Sequence, residues 1–303
     1  MSGTINDTKK ILLSLLRDAI GASESTENAI PLLDALDAGR FSFEREIWYD
    51  LHAPVAGESQ NAGRGELLLR ARTAQGALIK LDGLDKMIGP GGAYNLFDAL
   101  IVLSAVEQAI EKKQFPISVN ISARNACDRD SLFEFHKLLD RHFGGQFSPD
   151  HITFEFLEDD QADSPDHASL QEMRALGYKF ALDDQSHEKW DERRPQNLGE
   201  YVDYIKIDGK TLNGFKDGAI SLFEFQRFMD RLKKAAPQAE FLCEWVLSPE
   251  EAQDLADVLP DIRFVQGREL QDCCATFGER ARIQHNLPGN RFVAAAGNKP
   301  VLH

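Results

Sequence analysis

Short apolar runs punctuate this chain, and again and again one ends on an acid, an amide or a lysine. Ile117-Ser118-Val119 leads into Asn120, Ile152-Thr153-Phe154 into Glu155, and Phe180-Ala181-Leu182 into Asp183-Asp184. Tyr204-Ile205 leads into Lys206, Phe241-Leu242-Cys243 into Glu244, and Phe264-Val265 into Gln266, while Glu66 opens the run Leu67-Leu68-Leu69 before Arg70. Runs of this length, rich in β-branched and aromatic residues, predict buried parallel strands. Helical spacing predicts an amphipathic N-terminal helix over 7–20, with Ile11, Leu12, Leu15, Leu16 and Ala19 on one face, and a second helix over 30–38 ended by Gly39. Further helices are predicted over 97–113, 130–142, 166–176, 219–235 and 249–259, each between two of the apolar runs.

Strand and helix in strict succession imply parallel pairing through right-handed crossovers. With Phe41–Trp48 and Glu66–Ala71 the strands number eight over about 230 residues, the scale of an α/β fold of the (β/α)₈ TIM-like barrel class. A doubly wound open sheet competes, but no G-x-G-x-x-G follows a strand, and the polar strand ends do not gather at one switch point. Three segments follow from this reading: an N-terminal helical segment (1–29), the barrel domain (30–270) and a loose extension (271–303) whose stretch 275–285 is compatible with a short helix.

The net charge of −15 over 303 residues argues against a nucleic-acid polymer as partner, since that would require a basic face. A small anionic ligand remains compatible, because a bound metal ion inverts the local field. The cysteines, Cys127, Cys243, Cys273 and Cys274, lack C-x-x-C spacing and read as reduced thiols. The apolar stretch Ile11–Leu16 is too short to span a bilayer or to serve as a signal peptide. The expectation is a soluble cytoplasmic protein that does not engage a membrane.

In a barrel of this class the carboxyl ends of the strands share one mouth. Asn120, Glu155, Asp183, Asp184, Lys206, Glu244 and Gln266 are expected there. Oxygen donors without His or Cys suit a hard cation such as Mg²⁺ or Mn²⁺, and adjacent aspartates suit a pair of ions. Lys206 and Arg70 supply the positive charge a phosphate requires. Taken singly, Asp184 reads as a helix cap, Lys206 as a solvated edge residue and Gln266 as a turn former; their coincidence at barrel spacing favours a site. Lys206 as a Schiff-base nucleophile is disfavoured, because the surrounding acids hold the amine protonated.

These residues resemble the EAL domain, the bacterial module that hydrolyses or binds cyclic di-GMP. The similarity runs over about residues 30–270. Glu66-Leu67-Leu68-Leu69-Arg70 resembles the family's E-A-L-L-R, Asn120-Ile121-Ser122 its N-x-S, and Glu155-Phe156-Leu157-Glu158 its E-x-T-E. Asp183-Asp184 matches the D-D pair, Lys206-Ile207-Asp208 the K-I-D and Gln266-Gly267 the Q-G; Cys243-Glu244-Trp245-Val246-Leu247 resembles A-E-G-V-E with only the first acid kept. The resemblance implies that Glu66, Asn120, Glu155 and Asp183 hold one Mg²⁺ or Mn²⁺, and that Asp183, Asp184 and Glu244 hold a second. It implies Lys206 beside the attacking water and the scissile phosphate, Arg70 on a phosphate, Gln266 completing the site, and Glu158 latching the loop after the aspartate pair. The implied reaction is hydrolysis of cyclic di-GMP to linear pGpG, and a homodimer or a regulatory protein partner is left open.

The chain departs from the family after Asp184. F-G-T-G-Y-S-S becomes Gln185-Ser186-His187-Glu188-Lys189-Trp190-Asp191, with both glycines gone. His187 reads as a solvated loop residue ahead of a replacement ligand. Leu247 stands in place of the second acid, Glu46 in place of a glutamine, and Leu67 adds bulk beside Glu66. No proposed metal ligand is lost. Two functions follow: a phosphodiesterase, or a weakly active or inactive EAL module acting as a cyclic di-GMP receptor or protein-interaction regulator.

Overall fold

The computed structural model describes residues 4–21, 26–52, 63–81, 88, 93–158, 164–189 and 192–276. Beyond Thr276, the expected C-terminal extension lies outside the described residues, as do Trp190 and Asp191 of the loop after Asp184. The strands are β1 (Phe41–Ile47), β2 (Tyr49–Asp50), β3 (Gly65–Ala71), β4 (Ile117–Ile121), β5 (Ile152–Phe156), β6 (Lys179–Gln185), β7 (Tyr204–Ile207), β8 (Glu240–Cys243) and β9 (Ile262–Val265). Their hydrogen-bonding order is β1-β3-β4-β5-β6-β7-β8-β9-β2. From β3 to β9 the order follows the chain, as right-handed β-α-β crossovers dictate.

The expected single first strand is divided. Its two parts have different neighbours, β1 lying next to β3 and β2 pairing antiparallel with β9 through Tyr49↔Val265. The break falls at Trp48, whose buried indole meets the Tyr204 ring edge-on at 5.2 Å and whose backbone N–H donates to the Arg64 carbonyl at 2.8 Å. The pairing is therefore mostly, not strictly, parallel.

The residues cluster into two compact units interleaved along the sequence. The first comprises the chain up to Arg45 with Glu66–Phe154 and Asp166–Tyr178. It contains α1 (Ile5–Gly21), α2 (Thr26–Asp37), α3 (Ala93–Lys112), α4 (Ser131–Phe143) and α5 (His167–Leu176). In α1 the buried stripe is Leu12, Leu13, Leu16 and Ile20, packed on α3, while the predicted face residues Ile11 and Leu15 are exposed. The buried stripe is rotated about the helix from the predicted face, taking in Leu13 and Ile20. Lys9 pairs with Glu107 on α3, and Thr8 Oγ1 meets His142 Nε2 at 3.0 Å. Helix α3 is long and apolar enough to cross a membrane, but most of it is buried within this unit, as befits a core helix.

The second unit comprises Glu46–Gly65, Glu155–Pro165 and the chain from Lys179 onward. It contains α6 (Arg193–Leu198), α7 (Gly209–Lys216), α8 (Leu222–Ala235), α9 (Pro249–Val258) and α10 (Arg268–Thr276). Local signals set these boundaries. Ser221 and Glu224 form a capping box that starts α8, and Asp208 caps α7 by accepting from Thr211 N at 2.8 Å. Stacked Phe156 and Phe180, 5.2 Å apart, and the pair Phe215–Phe225, 4.9 Å apart, fill the unit's interior.

Candidate active site

In the second unit the strand ends bring an ammonium and several carboxylates together. Lys206, third residue of β7, is buried, and its Nζ lies 2.7 Å from Glu155 Oε2, 2.8 Å from Asp183 Oδ1 and 2.9 Å from Glu244 Oε1. The solvated-edge reading of Lys206 is thereby corrected. A buried ammonium is tolerable only when charge and hydrogen bonds offset its desolvation, and three anionic contacts provide this. Counting Asp184, four carboxylates face one lysine, leaving formal negative charge in excess.

Consecutive residues of a regular strand point to opposite faces, so Asp183 and Asp184 cannot both serve one site from ideal β geometry. A bulge resolves this. Between Leu182↔Ile205 and Gln185↔Ile207, β6 carries one residue more than β7, so that both aspartates oppose Lys206. Asp184 takes the extra residue's strain at φ 51°, a left-handed conformation that aspartate tolerates better than most residues. It lies within β6 and is not a helix cap. As a result, carboxylate oxygens of Asp183, Asp184 and Glu244 lie within 4.8 Å of one another.

Electrostatics record the crowding. Although the Asp184 side chain reaches solvent, its pKa is pushed up to about 6 by loss of hydration among the surrounding protein atoms, then by the Asp183 carboxylate, with Asp208 and Glu158 adding to the rise and Lys206 opposing it. Glu158, the expected loop latch, is thus close enough to act on Asp184. Such a set of oxygen donors, with a surplus of negative charge and no sulfur or nitrogen ligand, fits a hard divalent cation.

Gln266 is buried directly after β9. Its N–H donates to the Cys243 carbonyl at 2.9 Å and its carbonyl accepts from Val246 N at 3.0 Å, bracketing Glu244. Gly267 must be glycine, since a Cβ there would meet the Val246 carbonyl oxygen at 1.9 Å. His187 is not a member of the carboxylate group. Its backbone N–H donates to Thr211 Oγ1 at 2.8 Å and its ring meets Phe228 edge-on at 5.9 Å.

In the first unit, Glu66 and Asn120 are brought together: Asn120 Nδ2 donates to Glu66 Oε1 at 2.6 Å. The Asn120 Oδ1 is sealed from solvent and accepts no hydrogen bond among the described residues, the condition of an oxygen suited to a cation. Arg70, expected on a phosphate, pairs instead with Glu44, Nε to Oε2 at 2.8 Å.

Two positioning residues escaped the sequence reading. Asp98, buried on α3, accepts from Ser122 N at 2.8 Å and Asn125 Nδ2 at 2.6 Å, fixing the chain just after Asn120. Arg194, buried on α6, donates to the Asp183 carbonyl at 2.9 Å and to the Phe156 carbonyl, tying the ends of β5 and β6. Neither sits in a strand-end motif, so only the contact from a helix to the strand ends reveals it. A third feature is Trp245, which follows Glu244 at φ 58°. Non-glycine residues there cost roughly 1–3 kcal/mol.

The family model described as the EAL domain matches residues 52–272. No curated protein matches the chain by sequence. Among solved structures, the EAL enzyme Bd1971 in its cAMP-bound form aligns at 19% identity and TM-score 0.56, covering 78% of this chain; the chain spans only 64% of that protein. The FimX EAL domain from Pseudomonas aeruginosa bound to c-di-GMP aligns at 17% identity and TM-score 0.58, covering 81% of this chain and 95% of that one. The PaMucR phosphodiesterase in its c-di-GMP complex aligns at 18% identity and TM-score 0.57, covering 80% and 96% respectively. These likenesses show a shared fold, the (β/α)₈ barrel class expected from the strand pattern.

Proposed function

The chain belongs to the EAL domain family, and from that premise we propose that it is a divalent-metal-dependent phosphodiesterase that opens cyclic di-GMP to linear pGpG in the bacterial cytoplasm. The observation that carries this reading is the surplus of carboxylates around Lys206, with Asp183, Asp184 and Glu244 offering oxygens within 4.8 Å of one another. We take residues 30–270 as the catalytic module, with 1–29 and 271–303 as extensions.

Asp183, Asp184, Glu244 and Glu155 are proposed to hold Mg²⁺ or Mn²⁺, one ion or two, and within the first unit Glu66 and Asn120 are proposed as metal ligands. When bound, the cation supplies Lewis acidity toward a phosphoryl oxygen and makes water a better nucleophile at neutral pH. Lys206 holds Glu155, Asp183 and Glu244 in place and presents positive charge to the oxygens that become more anionic as phosphorus is attacked. Gln266 and Gly267 support Glu244 from behind. Arg70 is proposed to exchange its Glu44 partner for a phosphate oxygen. In the balanced reaction the water oxygen bonds to phosphorus, one P–O3′ bond breaks, and a proton from water ends on the freed 3′-hydroxyl.

The test is turnover: purified protein with cyclic di-GMP and Mn²⁺ or Mg²⁺ yields pGpG, and Asp183→Asn does not. Absence of pGpG under every metal condition overturns the enzyme reading.

One observation favours a second reading. The segment after Asp184 lacks glycine, and His187 within it is engaged by Thr211 and Phe228. A loop held this way supports a receptor that binds cyclic di-GMP without releasing product, acting through a regulatory protein partner or a homodimer. Micromolar binding without turnover selects it.

A further inference from the structure

We propose that Trp245 is the stacking platform for one guanine of the cyclic dinucleotide, an inference that rests on the reading above. The indole directly follows Glu244, a member of the carboxylate group, yet it is 50% exposed where large aromatics are usually buried. Its backbone lies at φ 58°, where a glycine would be free of strain. Both penalties are kept at one position beside the candidate site, a pattern that points from an observed outlier to function.

The indole is also held in place. A Cβ on Gly209 would fall 2.0 Å from Trp245 Cδ2 and 2.2 Å from Cγ, so the ring is seated against the bare backbone of that glycine. Gly209 opens α7 just after the Asp208 cap, one short step beyond Lys206 on β7. The flanking chain is pinned, with Glu244 N donating to the Ile207 carbonyl at 3.2 Å and Val246 N to the Gln266 carbonyl at 3.0 Å. A rigid, half-exposed π face at the rim of an oxygen-rich site offers a purine what the acids cannot. Stacking on a neutral ring is also indifferent to the chain's net charge of −15.

The experiment uses tryptophan fluorescence in EDTA, which withholds the metal that turnover requires while binding is read. A Trp190→Phe background leaves buried Trp48 and exposed Trp245 as emitters. Cyclic di-GMP is expected to quench this protein. Trp245→Gly is expected to lose the quench and to weaken binding by roughly tenfold, as loss of one base–aromatic stack implies, without lowering the melting temperature. Gly209→Ala, which displaces the indole, is expected to act in the same direction. A purely structural indole predicts the reverse: lower stability and unchanged affinity. If the background protein binds in calorimetry but Trp245→Gly binds equally well, the platform is overturned and the phosphodiesterase reading stands. If the background protein binds no cyclic di-GMP with or without Mn²⁺, that reading falls, and the platform with it.

Discussion

Replacing Lys206 by Met removes the ammonium that touches Glu155, Asp183 and Glu244 at 2.7, 2.8 and 2.9 Å. Each contact is worth about 6 kcal/mol at an effective dielectric of about 20. Desolvation of the four groups offsets most of this, so stripping the partner from buried charges costs about 3–5 kcal/mol net. The assay is urea unfolding at about pH 8, first in EDTA and then with Mn²⁺. In EDTA the variant is expected to lose those 3–5 kcal/mol. A cation at a hundred times its dissociation constant returns about 2.7 kcal/mol to the wild type, and it is expected to return more to Lys206→Met, because the ammonium no longer repels it. Turnover is expected to disappear even with metal bound. A variant within about 1 kcal/mol of wild type in EDTA, gaining no more from Mn²⁺, would refute the charge-balance argument.

Three other outcomes follow. Because the folded-state pKa of Asp184 is raised to about 6 from an ordinary 3.8, its ionisation opposes folding above that range and is neutral below it; Asp184→Asn is therefore expected to stabilise the metal-free protein near about pH 8 but not near about pH 4, read by urea midpoints at each pH. Arg194→Met leaves the carbonyls of Asp183 and Phe156 without their guanidinium, and is expected to cost about 1–3 kcal/mol and to lower kcat more than it raises KM; unchanged kcat would remove its positioning role. Cys243 is buried, and burial, then the nearby Glu244 and Glu251, pushes its thiol well above the ordinary range, so it is expected to resist iodoacetamide in the native protein and to react in urea.

Much of the site was legible because barrel chemistry leaves a linear trace. An apolar run is a strand, and the polar residue that ends it is where a shared mouth would be. That logic found Glu155, Asp183, Lys206, Glu244 and Gln266, and the second unit brings the first four into contact. It missed what depends on backbone detail. Period-2 patterning cannot anticipate a bulge, so how two adjacent aspartates serve one place could not be read until β6 slipped by one residue against β7. Trp48 dividing the first strand is of the same kind: an apolar residue continues the pattern while the hydrogen-bonding partner changes. Arg194 and Asp98 act on main-chain groups across the fold, and no local sequence spacing encodes that. On α1 the apolar pattern was correct in period but not in the face it selected: the buried side is turned toward Leu13 and Ile20, leaving Ile11 and Leu15 exposed.

The central claim is that the carboxylates around Lys206 hold a divalent cation that engages a nucleotide. It is tested most directly by Mn²⁺ titration followed by electron paramagnetic resonance, with and without cyclic di-GMP. The account predicts loss of the free-ion signal at one or two equivalents, tighter uptake with nucleotide, and little uptake by Asp183→Asn. A free-ion signal that grows linearly from the first addition, in wild type and variant alike, would contradict it.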